Sequence, residues 1–149
     1  MSEPQNQQTK KAPWHFWLIS IVGLLWSSMG AVDYVMTQTK NEAYMSAFTA
    51  DQLAFFYSLP LWSVTAWAIG VWSAVGGCIF LLLRMRLAVW YFLASLLAIV
   101  VTAFQNYVLS NGMEVIGDTF SLVFTAVIFL VALGLYLYAR AMQRRGFLT

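Results

Sequence analysis

Charge is what this sequence has least of: 9% of its 149 residues are Asp, Glu, Lys or Arg, where a soluble domain carries about 25%. Histidine and cysteine are scarcer still. The single Cys78 excludes an intramolecular disulfide and a cysteine-built zinc site, and the single His15 excludes a pair of histidines clamping a haem. Neither has a visible catalytic partner. His15 reads as a snorkelling residue at a membrane boundary, and Cys78, beside Gly76, Gly77 and Ile79, as a small packing residue. The sequence therefore predicts no catalytic, cofactor or metal site, no enzymatic activity and no nucleic acid partner.

What is present is apolar. Hydrophobic residues make up 61% of the chain and its mean hydropathy is +0.72, so its natural solvent is lipid. Four apolar segments, residues 14–35, 60–83, 87–109 and 119–139, are each long enough at about 1.5 Å per residue to cross a hydrocarbon core of about 30 Å. The first begins like a signal peptide, but its apolar run is too long and no A-x-A type cleavage site follows, so it reads as a retained anchor. The short Arg84-Met85-Arg86 link makes the second and third segments an antiparallel hairpin. The expected architecture is all-α: an antiparallel bundle of four transmembrane helices (residues 13–141) with a short interfacial helix in the outer connector, residues 36–59. Residues 1–12 read as a mobile tail and 142–149 as a basic cytoplasmic tail.

Orientation follows from the basic residues. Seven of the eight (Lys10, Lys11, Arg84, Arg86, Arg140, Arg144, Arg145) fall on one side of this arrangement and Lys40 on the other. The positive-inside rule then places both termini in the cytoplasm.

Small residues mark the packing surfaces. Gly23, Ser27 and Ala31 repeat at four-residue intervals in the first helix, Ala66, Gly70, Ala74 and Cys78 in the second, and Ala94, Ala98 and Thr102 in the third. Each series forms a shallow ridge that lets another helix approach closely. Many aromatics, such as Trp14, Trp17, Tyr57, Trp62, Trp90, Tyr91, Tyr136 and Tyr138, fall where rings settle at the headgroup boundary. Trp26, Trp67 and Trp72 lie deeper, as lipid-facing bulk or as contacts with the core or a partner.

One stretch departs from this pattern. Between the first two spans, GAVDYVMTQTKNEAYMSAFTADQLAFFYSL (residues 30–59) combines acidic, amide and aromatic residues. Thr49-Ala50-Asp51-Gln52 has the signature of a capping box ahead of Leu53, Phe56 and Tyr57 at helical spacing, as expected of a short amphipathic helix. Counted from the cytoplasmic edge, Asp33, Gln105 and Asn106 all come out about 27–29 Å deep. With Tyr34, Thr37 and Gln38 they form a candidate outer polar pocket for a small neutral ligand; the alternative is that Asp33 simply reaches headgroup water.

The strings GAVDYVMTQTKNEAYM, FTADQLAFFYSLPLW and WAIGVW resemble a family of small bacterial four-helix inner-membrane proteins, some of them labelled sugar transporters. The resemblance implies the four-span architecture and a bacterial inner membrane, and brings no catalytic residues with it. Two functions fit. The first is an accessory or assembly protein whose partners, beyond the lipid bilayer, are other membrane subunits or further copies of itself. Low polarity favours it, because no Lys, Arg, Glu or His lies at the midplane to relay protons or hold a charged solute. The second is a small-solute carrier, for a sugar among other neutral compounds, using the outer polar residues.

Overall fold

The computed structural model describes residues 11–149; the tail assigned to residues 1–12 and Lys10 fall largely or wholly outside them. The described residues form helices joined by short turns and include no strand. Four helices are long and apolar enough to cross a membrane: α1 Trp14–Gln38, α4 Leu61–Leu82, α5 Leu87–Phe104 with its π-helical continuation Gln105–Leu109, and α7 Thr119–Arg144. Three short helices complete the chain: α2 Glu42–Met45, α3 Ala50–Tyr57 and α6 Gly112–Val115.

The ends of the spans are set by local bonding that composition does not reveal. α1 runs to Gln38, three residues past the expected 35, and the Val35 carbonyl there accepts both the Thr39 amide at 2.9 Å and the Thr39 hydroxyl at 2.7 Å. Lys40 then turns into the left-handed region at φ 53°, and the Asn41 amide reaches back to the Met36 carbonyl at 3.1 Å. α4 closes in the same way: Arg84 has φ 58°, its amide bonds the Leu81 carbonyl at 2.9 Å, and the Met85 amide bonds Phe80 at 2.9 Å. α7 repeats the motif, with Gly146 at φ 81° and the Phe147 amide on the Met142 carbonyl at 3.0 Å. At its other end Asp118 caps α7, accepting from the Ser121 amide at 3.1 Å and its hydroxyl at 2.7 Å. Those hydrogen bonds, the hydroxyl first, hold the Asp118 carboxyl below the usual carboxylate range.

The C-terminal reading needs correction. Residues 142–149 are not a tail projecting from the bundle: α7 continues to Arg144, five residues beyond the expected 139, and Met142 and Leu148 are buried. Leu148 is 1% exposed and joins the cluster of Phe16, Cys78, Leu81, Ala88, Phe92 and Ala139. Arg84 fixes it there, donating from Nε to the Phe147 carbonyl at 2.9 Å and accepting at its own carbonyl from the Thr149 amide at 2.8 Å. The start of α1, the α4–α5 turn and the end of α7 therefore gather at one end, here called the termini end. His15 adds a tie across it, with Nδ1 2.7 Å from the Tyr138 hydroxyl.

α4 packs between α1 and α5, and α5 in turn against α7. The small residues explain how. Along α4 the buried positions Ser63, Gly70 and Gly77 repeat every seven residues, a spacing that keeps them on one face. Gly70 faces Ala98 of α5, and the Ser95 hydroxyl donates to the Gly70 carbonyl at 2.8 Å. Gly77 lies under the Phe92 ring, where an added Cβ would come within 2.8 Å. Cys78, one residue on, points the other way: its sulfur lies 3.7 Å from the Ser27 hydroxyl of α1 and against Gly23. The expected ridge of Ala66, Gly70, Ala74 and Cys78 is thus divided between two neighbours, with Ala66 and Ala74 half-buried. Four residues rotate about 400°, so a four-residue series drifts about 40° per step and leaves the face on which it began. In α1, Gly23, Ser27 and Ala31 are all buried; in α5, Ala98 is buried while Ala94 and Thr102 are half-buried.

Two outcomes test this packing by thermal unfolding in detergent. Gly77→Ala forces the Phe92 ring aside and lowers stability by about 1–3 kcal/mol, whereas Gly134→Ala, whose Cβ meets nothing within 4 Å, leaves stability unchanged or raised by the better helix propensity of alanine. Leu148→Ala lowers it by about 2–4 kcal/mol; a change within error would mean that the chain end is not part of the core.

Candidate functional site

The polar residues collect at the opposite, connector end, where α1, the short helices and the π-helical turn of α5 meet. Asn41 caps α2 by accepting from the Tyr44 amide at 3.0 Å. This places the Tyr44 ring beside α1, and its hydroxyl donates to Asp33 Oδ1. Burial, reinforced by that bond and by the Asp33 charge, pushes the Tyr44 phenol up to about 12. Asp33 is thus committed to the connector.

The chain then reaches α3, where the capping box forms as its residues suggest: the Gln52 amide donates to Thr49 Oγ1 at 3.2 Å, and the Thr49 amide to Gln52 Oε1 at 3.1 Å. Phe48 stands edge-on to Phe56 at 5.5 Å between ring centres, and Met45 and Phe55 are buried. Lys40 closes the connector, its Nζ 4.8 Å from the centre of the Tyr57 ring. α3 also meets α6, so the connector spreads over the end of α5.

At the end of α5, the π-helical turn Gln105–Leu109 carries both amides. Gln105 is buried and donates from Nε2 to the Ser110 hydroxyl at 2.8 Å. Asn106 Oδ1 is buried with no hydrogen-bond partner, a state that costs about 1–3 kcal/mol for a polar group. Gly112 follows so closely that any Cβ there would sit 2.0 Å from the Asn106 carbonyl oxygen. Tyr107 links the turn to α7 through Thr125, oxygen to oxygen 3.2 Å.

Of the six candidate pocket residues, Asp33, Tyr34 and Gln105 find partners outside the set. Tyr34 stands edge-on to Trp67 at 5.0 Å, Thr37 is buried and Gln38 is exposed. Among the described residues no hydrogen bond joins Asp33, Tyr34, Thr37 or Gln38 to Gln105 or Asn106. Two clefts open elsewhere. One, of about 370 Å³, lies between α5 and α7 and is lined by Ile99, Val100, Ala103, Leu122, Thr125, Ala126 and Phe129. The other runs along the arginine-bearing end of α7. The deep tryptophans also divide: Trp26 meets Phe124 of α7 at 6.0 Å and Trp67 meets Tyr34, while Trp72 is exposed.

The sequence reading missed Tyr44, Ser110 and the His15–Tyr138 pair. Asn41 followed by Glu42 is the cap signal that could have flagged α2. The π-helical turn has no comparable signal. Among the described residues no group of three His, Cys, Asp or Glu could hold a metal ion.

Comparison with protein-family models, curated proteins and solved structures finds no match.

The Tyr44–Asp33 bond carries a pH prediction. The folded pKa lies above the usual 10, so the stabilisation is complete below pH 10 and is lost as the pH rises through about 12. Taken as the difference between the phenolate absorbance of the native chain and of Tyr44→Phe, the Tyr44 titration falls part of the way toward 10 in Asp33→Asn, since burial remains. An unchanged titration in Asp33→Asn would remove Asp33 as a cause.

Proposed function

We propose that this chain is a non-enzymatic accessory or assembly protein of the bacterial inner membrane, packing against other membrane subunits or against further copies of itself. In this reading the four spans form an antiparallel bundle with both termini in the cytoplasm, and α3 lies at the outer interface. The seven-to-one division of basic residues supports the orientation. Falling residue numbers in α5 against rising ones in α4, Ala98 at Gly70 and Phe92 at Gly77, support the bundle. The resemblance, clearest over residues 26–84, supports the bacterial membrane.

The observation that carries the assembly reading is the state of α7. Near the termini end Ala132, Leu135, Ala139 and Met142 are buried. Toward the connector end it stands apart, with Phe120 77% and Leu130 62% exposed, and even Ala126, on the side of the α5 cleft, exposed. The most hydrophobic of the four spans is therefore also the least packed, with 11% of its apolar window buried. In lipid, helices associate through close packing of small residues, and the cleft beside Ala103, Thr125 and Ala126 offers such a surface.

A tag at the N-terminus avoids the buried Leu148. Native-detergent purification should then recover the chain in an assembly larger than a monomer, and Ala126→Trp, which fills the cleft, should release the partner while the chain keeps its unfolding temperature. Recovery only as a monomer would sink the assembly reading.

A second reading, a small-solute carrier for neutral compounds such as sugars, is favoured by the unpartnered Asn106 Oδ1. It requires uptake of a tested sugar into proteoliposomes, lost in Asn106→Ala. Uptake that survives Asp33→Asn combined with Gln105→Ala would exclude the candidate outer polar pocket as its route.

A further inference from the structure

The second cleft, of about 240 Å³, lies on α7 at the termini end and is lined by Leu137, Arg140, Ala141, Arg144 and Arg145. At about 100° per residue these positions share one face of the helix, and the face changes character along its length. Leu137 and Ala141 give an apolar floor continuous with the exposed apolar surface of the span, and three guanidinium groups stand at its end. The Tyr136 hydroxyl accepts from Arg140 Nη1 at 3.3 Å, giving that side chain a fixed neighbour. Every acidic side chain among the described residues (Asp33, Glu42, Asp51, Glu114, Asp118) belongs to the connector end, and among those residues neither Arg140 nor Arg144 forms an ion pair. The cleft thus concentrates positive charge over an apolar strip at the level where a spanning helix meets the headgroups.

We propose that this cleft is a binding site for an anionic phospholipid, with Arg140 and Arg144 holding the headgroup phosphate and Leu137 and Ala141 lying against the beginning of an acyl chain. Arginine suits the task because its planar fork donates two parallel hydrogen bonds to phosphate oxygens. The apolar floor selects the phosphate of a lipid over a free one: a soluble phosphate compound gains nothing from Leu137 and Ala141. The site rests on the chain spanning a membrane and is independent of the assembly reading, since it needs neither a partner protein nor the cleft between α5 and α7.

Native mass spectrometry of the detergent-purified full chain, with phosphatidylglycerol or phosphatidylcholine added, tests it. The native chain should retain phosphatidylglycerol in preference to phosphatidylcholine. Retention should fall about fivefold for each arginine replaced in Arg140→Gln and Arg144→Gln, and partly in the double lysine variant, which keeps the charge and loses the fork. Arg86→Gln removes the same charge from an exposed position outside the cleft and should retain the lipid as the native chain does. Equal retention of the two lipids would overturn the proposal. So would an equal loss in Arg86→Gln, which would reveal diffuse attraction in place of a site, and so would displacement by millimolar glycerol 3-phosphate, which would assign the cleft to a soluble phosphate.

Discussion

The close approach of α4 to its two neighbours is the constraint on which the rest of the structure depends. Lipid is as apolar as a leucine side chain, so burial from water cannot hold these helices together; contact density and a few hydrogen bonds must. Gly70 and Gly77 let α5 come near enough for the Ser95 hydroxyl to reach a backbone carbonyl and for the Phe92 ring to pack against the helix. Gly23 and Ser27 do the same for α1 around Cys78. With α4 held on both faces, α1 and α5 are fixed relative to each other, and α7 is placed mainly by its half at the termini end.

That placement makes the two ends of the molecule different in kind. At the termini end, Arg84 adopts a left-handed conformation unfavourable for any residue with a side chain, by roughly 1–2 kcal/mol. The geometry is held because the same residue offers its carbonyl to Thr149 and its guanidinium to Phe147. The chain end is thereby folded into the core beside Phe16, and α7 is pinned where its arginines cluster. At the connector end nothing equivalent gathers α7: Tyr107 to Thr125 and Trp26 to Phe124 are its ties there, and an apolar cleft remains beside α5. The least packed apolar surface and the densest positive charge thus lie on the same helix, at opposite ends. The proposed assembly surface and the proposed lipid site draw on these two ends separately.

The polar connector has a narrower part than its composition suggests. Its carboxylate, amides and aromatics are largely spent on one another: Asp33 on Tyr44, Gln52 on Thr49, Gln105 on Ser110, Lys40 on Tyr57. Such reciprocal satisfaction is what a polar segment at a membrane boundary requires, because an unpaired group is expensive wherever water is scarce. Asn106 Oδ1 is the exception, and it sits on the π-helical turn, a feature found often at functional positions.

The sequence by itself determined the class of object, the four spans to within a few residues, the capping box at Thr49 and the charge asymmetry, because each depends on length, composition or spacing within one segment. The ridges read from four-residue spacing include Gly23, Ser27, Gly70 and Cys78 but pass over Gly77, and they do not say which helix each residue meets. A four-residue repeat does not follow one face of a helix, and the division of Gly70 and Cys78 between α5 and α1 appears only when three helices are docked. The same limit applies to the candidate pocket: equal depth along separate helices says nothing about direction around them, so Asp33, Gln105 and Asn106 could be placed at one level but not joined. Residues 142–149 show it most plainly. Read locally they are a basic tail; only the carbonyl and guanidinium of Arg84, some 60 residues earlier in the chain, turn them into part of the core, because a hydrogen bond between distant segments has no signature in either one alone.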